Sequence, residues 1–309
     1  MGRKKVLVIG GSGFVGQALV SLLTPFYSVY VLGRGRHPVL SAGTRLLSAD
    51  RYRPEQLYAV AAAAGPFDTV VDICPSHRPD TENVWNAFSA GASHWISISS
   101  VAVYRRSPGL FPAEGHPVGG SRAWGDYGRG KSRSDEFLIQ AVSGRTAAVT
   151  IFRPVYLYGP RNSFYREAFV WDRIASGQDI VVPGRGQAPA QFLHVQDLAR
   201  AVVLALRKPP SRLAVYNIAG DEIISLGEWV EMLADIAGAG KARIRNMIFP
   251  GHPFPFADVA CCADTAAVRQ QLRWEPDYPL REGFAQTFLT WTPAATRSAF
   301  PPAFAAAAP

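Results

Sequence analysis

The sequence contains few cysteines and no histidine pattern typical of a metal site. Its three cysteines are Cys74, Cys261 and Cys262, and none belongs to a CxxC pair. The neighbouring residues Cys261 and Cys262 cannot easily form a disulfide with each other. The six histidines also lack metal-ligand spacing. We therefore expect no metal site and no dependence on an oxidising compartment.

Long apolar runs and long runs of charge are also missing. Glycines interrupt the first apolar run, Val6–Ile9, so it is too short for a signal-peptide core, and no run approaches the ~20 residues that span a bilayer. Lysine and arginine number 32 against 24 acidic residues, a net charge of +8, but they are scattered. Scattered basic residues are typical of a solvated surface, although the excess also suits phosphate ligands. We expect a cytoplasmic protein with a small-molecule substrate and no membrane partner, and the scattered basic residues argue against a nucleic-acid partner.

Short β-branched runs alternate with helical periodicity through the first half of the chain. This alternation predicts an α/β fold, a Rossmann-type doubly wound parallel sheet with helices on both faces. A fully apolar run such as Val6–Ile9 suits a strand buried on both faces. The predicted strands are Val6–Ile9, Val29–Leu32, Arg45–Ser48, Thr69–Ile73, Trp95–Ser99 and Ala148–Phe152, and the predicted helices include Phe14–Leu23, Pro54–Ala64 and Thr81–Phe88.

Proline and glycine become frequent after Arg153, which predicts a smaller substrate-binding domain interleaved with the first. A helix at Val195–Leu206 and a strand at Ala214–Ile218 are expected to return to the main sheet, and Ser225 is expected to cap the next helix. The predicted division is 1–158 with 194–220 for the dinucleotide-binding domain, 159–193 with 221–297 for the substrate-binding domain, and 298–309 for a disordered tail.

A glycine-rich loop follows the first predicted strand and opens the first predicted helix. Gly10, Gly13 and Gly16 have GxxGxxG spacing. The first glycine makes a tight turn, the second lets backbone N–H groups approach a pyrophosphate, and the third permits close packing of helix on strand. The loop therefore predicts a dinucleotide site, with Phe14 and Val15 among its binding residues.

The end of the second strand indicates which dinucleotide the loop favours. The segment Gly33–Arg36 contains no carboxylate that would bond the adenosine ribose. An arginine can instead stack on adenine and pair with a 2′-phosphate, which a carboxylate would repel. Arg34 and Arg36 therefore favour NADP, with NAD as the alternative. Asp50 and Arg51 follow the third strand, where the adenine edge is expected.

Tyr127 and Lys131 have YxxxK spacing, which places both on one face of a helix. A nearby ammonium and an oxidised nicotinamide stabilise a phenolate, so the phenol can act as acid and base. Two glycines inside the motif weaken a helix but would admit a ligand closely, and Asp126 is expected to cap the helix. Ser99 and Ser100 lie at the carboxyl end of a predicted strand, where a hydroxyl can polarise a carbonyl, or can simply form a turn.

Five motifs occur in order along the chain: Gly10-x-x-Gly13-x-x-Gly16, Ser99-Ser100-x-x-Val103-Tyr104, Tyr127-x-x-x-Lys131, Arg153-x-x-x-x-Tyr158-Gly159-Pro160 and Phe192-Leu193-His194-Val195-x-Asp197. Together they resemble the extended short-chain dehydrogenase/reductase family, the NAD-dependent epimerase/dehydratase group, over about residues 5–295. The resemblance implies that Ser100 polarises the substrate carbonyl and that Tyr127 is the acid/base. It also implies that Lys131 holds the nicotinamide ribose and that Pro154 lies beside the nicotinamide. Dimers are common in this family, so the resemblance is compatible with a homodimer.

The chain departs from that family at positions that contact a nucleotide sugar. Ala190 and Gln191 stand where the family has an arginine that holds a diphosphate, and no arginine lies between Arg245 and Arg269 for a second contact. Tyr156 replaces an asparagine that contacts the sugar. A diphosphate without cationic partners is unfavourable in a cleft, so these departures favour a non-nucleotide substrate.

We therefore interpret the chain as an NADP-dependent oxidoreductase acting on a carbonyl/alcohol pair in a small substrate, which Ser100 and Tyr156 would contact. The alternative is a nucleotide-sugar epimerase or dehydratase that keeps NAD bound and returns the hydride to its substrate. A second alternative is an RNA-binding protein that has kept the fold. The +8 charge suits RNA, and some motifs resemble an atypical branch of the family that includes chloroplast RNA-binding members. The intact set of Ser100, Tyr127 and Lys131 argues against that second alternative.

Overall fold

A computed structural model describes residues 2–35, 41–105, 111–144, 147–240, 244–247 and 254–293. The expected cofactor residue Arg36 and the predicted tail 298–309 lie outside these residues. In chain order, the elements are β1 (Lys5–Ile9), α1 (Phe14–Leu23), β2 (Ser28–Gly33), β3 (Arg45–Ser48), α2 (Pro54–Ala64), β4 (Thr69–Asp72), α3 (Arg78–Phe88), β5 (His94–Ile98), α4 (Gly125–Ala141), β6 (Ala148–Pro154), β7 (Tyr156–Tyr158), α5 (Glu167–Ala175), β8 (Ile180–Pro183), β9 (Pro189–His194), α6 (Val195–Arg207), β10 (Leu213–Ile218), β11 (Ile223–Ser225), α7 (Leu226–Ile236), β12 (Ile244–Met247), α8 (Ala266–Leu272) and α9 (Leu280–Phe288).

Seven parallel strands form the main sheet, in the order β10-β6-β5-β4-β1-β2-β3. The chain first moves outward from β1 to β3 and then continues on the other side of β1 with β4. In a sheet of this kind, ligands bind outside the carboxyl ends of the strands where the direction reverses. The predicted α/β fold with a doubly wound parallel sheet is confirmed.

Successive residues of β1 supply the two layers of the core. Val6 and Val8 belong to a buried cluster that includes residues of α1 and α6, whereas Leu7 and Ile9 belong to a second cluster with residues of α2, α3 and α4. Side chains alternate across a strand, so a fully apolar strand buries both of its faces. Strand β1 is therefore buried between two layers of helices, and the loop that follows it begins from this buried strand.

The second half of the chain forms two smaller sheets, β11-β9-β7 and β12-β8, beside the main sheet. Between β9 and β11 the chain returns to the main sheet, because β10 pairs with β6 and α6 packs on α1. Ser225 caps α7 as predicted. Its Oγ accepts a hydrogen bond from the N–H of Glu228 at 3.2 Å, and the Glu228 carboxylate accepts one from the N–H of Ser225 at 2.7 Å.

Helix α3 begins three residues earlier than predicted. Its start at Arg78 follows from the Asp80 carboxylate, which accepts hydrogen bonds from the N–H groups of Ser76 and His77. Pro79 also lies in the first turn, where its missing N–H costs nothing.

Glu167, in the first turn of α5, is a buried carboxyl whose Oε1 accepts a hydrogen bond from Asn162 at 2.8 Å. Burial raises its pKa from 4.5 to about 7, against the lowering effect of its hydrogen bonds and of Arg166. The folded protein therefore keeps a proton that the unfolded chain releases. This proton stabilises the fold below about pH 4.5, and the stabilisation is lost as the pH rises to about 7.

We predict that Glu167→Gln is more stable than the wild type at pH 8 and has a smaller advantage at pH 5. One pKa unit corresponds to about 1.4 kcal/mol, so the two differences should diverge by about 2–3 kcal/mol. Denaturant unfolding at both pH values measures this. Glu82→Gln, which removes a surface carboxylate paired with Arg78, is the control and should show no such divergence.

Candidate active site

The loop from β1 to α1 forms a tight turn at the carboxyl edge of the main sheet. Gly10 has a φ of +83°, and its carbonyl oxygen accepts a hydrogen bond from the N–H of Gly13 at 3.1 Å. No side chain caps α1 at Gly13. The first N–H groups of the helix, beginning at Phe14 and Val15, are therefore not capped by the residue at position 13. Uncapped N–H groups at a helix start are suited to bind an anion.

Gly16 packs against the same turn. A Cβ at Gly16 would overlap the Gly10 carbonyl oxygen and the backbone of Gly11, whereas a Cβ at Gly13 would lie 3.4 Å from that oxygen, an ordinary contact. Gly16 thus permits a close approach of α1 to the turn after β1, and its part in dinucleotide binding stays a prediction. Gly13 instead has space on its own side of the loop.

Arg34 follows the end of β2, next to the glycine-rich loop. Its side chain is exposed, and the preceding Gly33 faces Ser12 of the loop, with 3.9 Å between the position of a Cβ and the Ser12 Oγ. The charge of Arg34 is thus available at the edge of the crevice. Its contact with a 2′-phosphate stays a prediction.

Arg51 lies after β3, where it is buried among carboxylates. Its two terminal nitrogens donate to the Asp72 carboxylate at 3.0 and 2.9 Å, and its Nε lies 3.1 Å from Asp80 Oδ2. Burial by itself would lower the pKa of Arg51, but these carboxylates raise it above its ordinary value. Asp50 beside it accepts a hydrogen bond from the Tyr52 N–H at 3.0 Å. Contacts of Asp50 and Arg51 with adenine stay predictions. The Arg51 guanidinium would contact adenine while it is bound to Asp72 and Asp80.

Tyr127 and Lys131 lie one turn apart on α4, as the YxxxK spacing predicted. The phenol ring is exposed (41%), whereas Lys131 is buried, with its Nζ 5.8 Å from the centre of that ring. Lys131 Nζ donates a hydrogen bond to the carbonyl oxygen of Ile98, at the end of β5, at 2.9 Å. This bond uses one of three N–H groups and holds the ammonium at the crevice.

The two glycines inside the motif pack against protein and not against a ligand. A Cβ at Gly128 would lie 2.6 Å from the carbonyl oxygen of Ala102, and a Cβ at Gly130 would overlap that of Ser76. The expectation that they admit a ligand is therefore wrong. The expected cap at Asp126 is also wrong, because α4 begins at Gly125 and Asp126 pairs with Arg129 at 2.6 Å inside the first turn.

Ser100 follows β5 and begins a short 3₁₀ turn at Val101–Val103. Its Oγ accepts a hydrogen bond from the Ala102 N–H at 3.1 Å, so the hydroxyl hydrogen can still be donated to a ligand. Ser99 is buried, and its N–H donates to the carbonyl oxygen of Phe152 at 2.7 Å. Turn formation and a ligand contact are thus compatible at Ser100.

A buried network behind α4 was not predicted from the sequence. Arg153 Nε donates to the Asp135 carboxylate at 2.9 Å, and its Nη1 donates to the Tyr104 hydroxyl at 2.9 Å. Tyr104 in turn donates to Asn217 at 2.7 Å. Asp135 lies four residues after Lys131, on the same side of the helix, and this spacing was a signal that could have revealed it.

An aromatic wall flanks the site on the side of the smaller sheets. Pro154 ends β6 at the crevice, and the nearby Tyr156 is almost fully buried. The Tyr156 ring lies 5.8 Å from that of Trp124, which directly precedes α4, and 4.2 Å from that of Phe256. The predicted contacts of Pro154 with the nicotinamide and of Tyr156 with the substrate stay predictions, and Tyr156 is itself packed into this wall.

A metal site is not evident. Within the part of the chain that the structure describes, no group of three or more His, Cys, Asp and Glu side chains is arranged to hold a metal ion. No helix in this part is long and apolar enough to span a bilayer.

The fold defines the chain as a Rossmann-type α/β protein with a crevice at the carboxyl edge of its parallel sheet. Residues 6–219 match the model of the NAD dependent epimerase/dehydratase family, and the chain belongs to that family.

Known proteins similar to the chain include relatives from plants and bacteria. The chain is 26% identical to chloroplast stem-loop binding protein of 41 kDa b from Arabidopsis thaliana, over 93% of the chain and 79% of the relative. It is 22% identical to dTDP-L-rhamnose 4-epimerase from Burkholderia thailandensis, over 93% and 94%. The crystal structure of dTDP-glucose 4,6-dehydratase from Bacillus anthracis in complex with NAD shares the fold, with a TM-score of 0.80 and 18% identity over 93% of the chain and 96% of its own.

We predict that Gly16→Ala lowers the stability of the fold by about 2 kcal/mol, because its Cβ would overlap the backbone of the loop. Gly13→Ala should leave stability nearly unchanged and weaken dinucleotide binding, because its Cβ would face the ligand and not the protein. Thermal unfolding and NADPH titration of both variants measure this. Equal stability of the two variants would contradict the packing role of Gly16.

Proposed function

We propose that the protein transfers hydride between a nicotinamide dinucleotide and a carbonyl/alcohol carbon of its substrate, with Tyr127 as the acid/base. The observation that carries this proposal is the exposed phenol of Tyr127 beside Lys131, whose ammonium is anchored to Ile98 at 2.9 Å. Both lie at the sheet edge where the Gly10 turn presents the start of α1. The groups proposed for acid–base chemistry and for cofactor binding thus lie at the same edge of the sheet.

Ser100, Tyr127 and Lys131 act differently in the proposed reduction of a carbonyl. Ser100 donates its free hydroxyl hydrogen to the carbonyl oxygen and stabilises the charge that develops there. Tyr127 gives its proton to the same oxygen. Lys131 stabilises the resulting phenolate and uses its remaining N–H groups to hold the ribose of the cofactor. The nicotinamide, when bound, supplies or accepts the hydride.

NADP is the cofactor that we propose, on the ground of Arg34. An exposed guanidinium at the end of β2, with no carboxylate in Gly33–Gly35, suits a 2′-phosphate. The dehydratase from Bacillus anthracis is in complex with NAD, so NAD is the alternative to be tested directly.

A nucleotide-sugar epimerase or dehydratase is the second candidate, and the comparisons favour its substrate over the non-nucleotide substrate expected from the sequence. The relative named dTDP-L-rhamnose 4-epimerase aligns over 93% of the chain. Such an enzyme would hold its cofactor tightly and return the hydride to the same substrate. Mass spectrometry of the purified protein separates the two candidates, because retained NAD and product formation without net NAD(P)H consumption support the second.

RNA binding receives support from one relative, which is named as a stem-loop binding protein. The Ser100, Tyr127 and Lys131 set supports a redox reaction over a role limited to binding, because the Tyr127 phenol is exposed beside a buried Lys131 and Ser100 keeps its hydroxyl hydrogen for a ligand.

We predict that Tyr127→Phe lowers turnover by about 10²-fold or more and leaves NADPH affinity nearly unchanged, because only the proton donor is lost. Turnover is measured by oxidation of NADPH and by product analysis with a panel of UDP-, dTDP- and GDP-keto sugars and simple ketones. Tyr58→Phe, which alters an exposed tyrosine on α2, is the control and should keep wild-type turnover. A fully active Tyr127→Phe enzyme would remove Tyr127 from the mechanism.

We also predict that Arg34→Gln weakens NADPH binding by about tenfold or more and hardly affects NADH binding. Loss of a charge-assisted phosphate contact costs ~1.5–3 kcal/mol, and NADH lacks that phosphate. Calorimetric titration with both dinucleotides measures the difference. Arg3→Gln, before the amino end of β1 and thus at the opposite edge of the sheet, should change neither affinity. Tighter binding of NADH than NADPH by the wild type would show that the β2 end does not select NADP.

A further inference from the structure

A second cavity lies at the amino edge of the main sheet, at the opposite end of the strands from the glycine-rich loop. Its volume is about 280 Å³, far more than the ~30 Å³ that one water occupies in the liquid. Residues from the start of β1, the starts of β4 and β5 and the end of α6 line it, among them Lys4, Tyr27, Thr69, His94, Leu206 and Arg207. We call it the amino-edge cavity.

His94, the first residue of β5, lines this cavity with a buried imidazole. Its side chain lies on the same face of β5 as Ile96, which belongs to the cluster that includes residues of α1 and α6. Leu206 and Arg207 end α6, and Tyr27 follows α1. The imidazole is therefore on the face of the sheet where the amino-edge cavity lies.

One ring nitrogen of His94 has a partner, and the other has none among the described residues. Nε2 lies 2.9 Å from Thr150 Oγ1, whereas Nδ1 is buried without a hydrogen bond, in a residue that is only 2% exposed. Burial lowers the pKa of His94 to about 4, so the ring is neutral at pH 7. A neutral imidazole has one donor and one acceptor nitrogen. If the Thr150 hydroxyl donates to Nε2, Nδ1 carries the hydrogen and requires an acceptor.

Two cations beside the cavity have no counter-charge. Lys4 and Arg207 are exposed, and neither forms an ion pair within the part of the chain that the structure describes. The Arg207 guanidinium carbon is 5.7 Å from the ring centre of Phe26, a contact that leaves its N–H groups available. The neighbouring carboxylate of Asp68 instead accepts a hydrogen bond from the Lys5 N–H at 2.7 Å. Positive charge and a buried donor thus meet at one cavity.

We propose that the amino-edge cavity binds a small organic anion, whose carboxylate or phosphate oxygens accept a hydrogen bond from His94 Nδ1 and pair with Lys4 and Arg207. The apolar part of such an anion would lie against Leu206 and the Tyr27 ring, which are half-buried at the same cavity. Buried polar atoms in native proteins nearly always have a partner, and an anion supplies one here. Charge-assisted hydrogen bonds from lysine and arginine would add to its affinity.

This site is separate from the proposed active site and does not depend on the proposed redox function. His94 begins β5 and Ile98, whose carbonyl oxygen accepts from Lys131, ends it. Four steps along a strand correspond to ~13 Å. An anion at His94 is therefore distinguishable from a dinucleotide at the glycine-rich loop.

NMR of protein labelled with ¹⁵N-histidine tests the proposal at the imidazole itself. Benzoate and phenyl phosphate are the carboxylate and phosphate probes, and benzyl alcohol is their neutral analogue. We expect at least one anion to shift the His94 Nδ1 signal saturably, with a dissociation constant of about 1 mM or tighter, and Nδ1 to be protonated in the complex. Benzyl alcohol should cause no saturable shift. The His94 signal is assigned by its loss in His94→Gln or, if that variant fails to fold, by elimination with variants of the other five histidines.

Charge variants test the two cations. Lys4→Gln and Arg207→Gln should each weaken binding of the anion by about threefold or more, and the double variant by about tenfold or more. Arg212→Gln is the matched control, because Arg212 is an exposed arginine directly before β10, at the same edge of the sheet. Its Nη2 donates to the carbonyl oxygen of Ser143 at 2.8 Å. This variant loses the same charge and should bind as the wild type does.

Four results would overturn the proposal. A His94 Nδ1 signal that neither anion moves would mean that the imidazole binds water only. An equal shift with benzyl alcohol would show an apolar site and not an anion site. An unprotonated Nδ1 in the complex would exclude the proposed hydrogen bond. Unchanged affinity in the double variant, or an equal loss in Arg212→Gln, would reduce the effect of the cations to the general charge of the protein.

Discussion

The ion pair between Asp135 and Arg153 is the interaction on which the geometry of the site depends. It joins α4, which carries Tyr127 and Lys131, to β6, and through the Tyr104 hydroxyl and Asn217 it reaches the turn after β5 and the edge strand β10. Both charged groups are buried, so removal of either would leave the other without compensation, at a cost of about 3–5 kcal/mol. The positions of Tyr127, Lys131 and Ser100, the residues proposed for catalysis, are therefore coupled to the integrity of the core.

Most of the main sheet could be predicted from the sequence, because its signals are local. The apolar run Val6–Ile9, the helix Phe14–Leu23 and the glycines between them follow directly from strand periodicity and turn chemistry. The YxxxK spacing also places Tyr127 and Lys131 correctly, because a helical repeat is all that it requires. At Ser225, one hydroxyl followed by Glu228 was enough to locate a helix start.

The contacts that the sequence did not reveal are formed between distant segments. Arg51 pairs with Asp72 and Asp80, which are more than twenty residues away, and nothing beside Arg51 in the chain indicates those partners. The spacing of Gly128 and Gly130 suggests close approach of a ligand. The backbone atoms that they face instead belong to distant segments, at Ala102 and Ser76, which the local sequence does not indicate.

The ionic cluster around Arg51 has a consequence for how the crevice is organised. One guanidinium ties the segment after β3 to the end of β4 at Asp72 and to the start of α3 at Asp80, and it also donates to the Cys74 carbonyl oxygen at 2.9 Å. Three separate segments at this side of the crevice are thus held by one charged side chain with little access to solvent. The conformational entropy of these segments is lost when the chain folds and not when a ligand binds. The affinity of a ligand at this side therefore depends on its contacts and not on ordering of the protein.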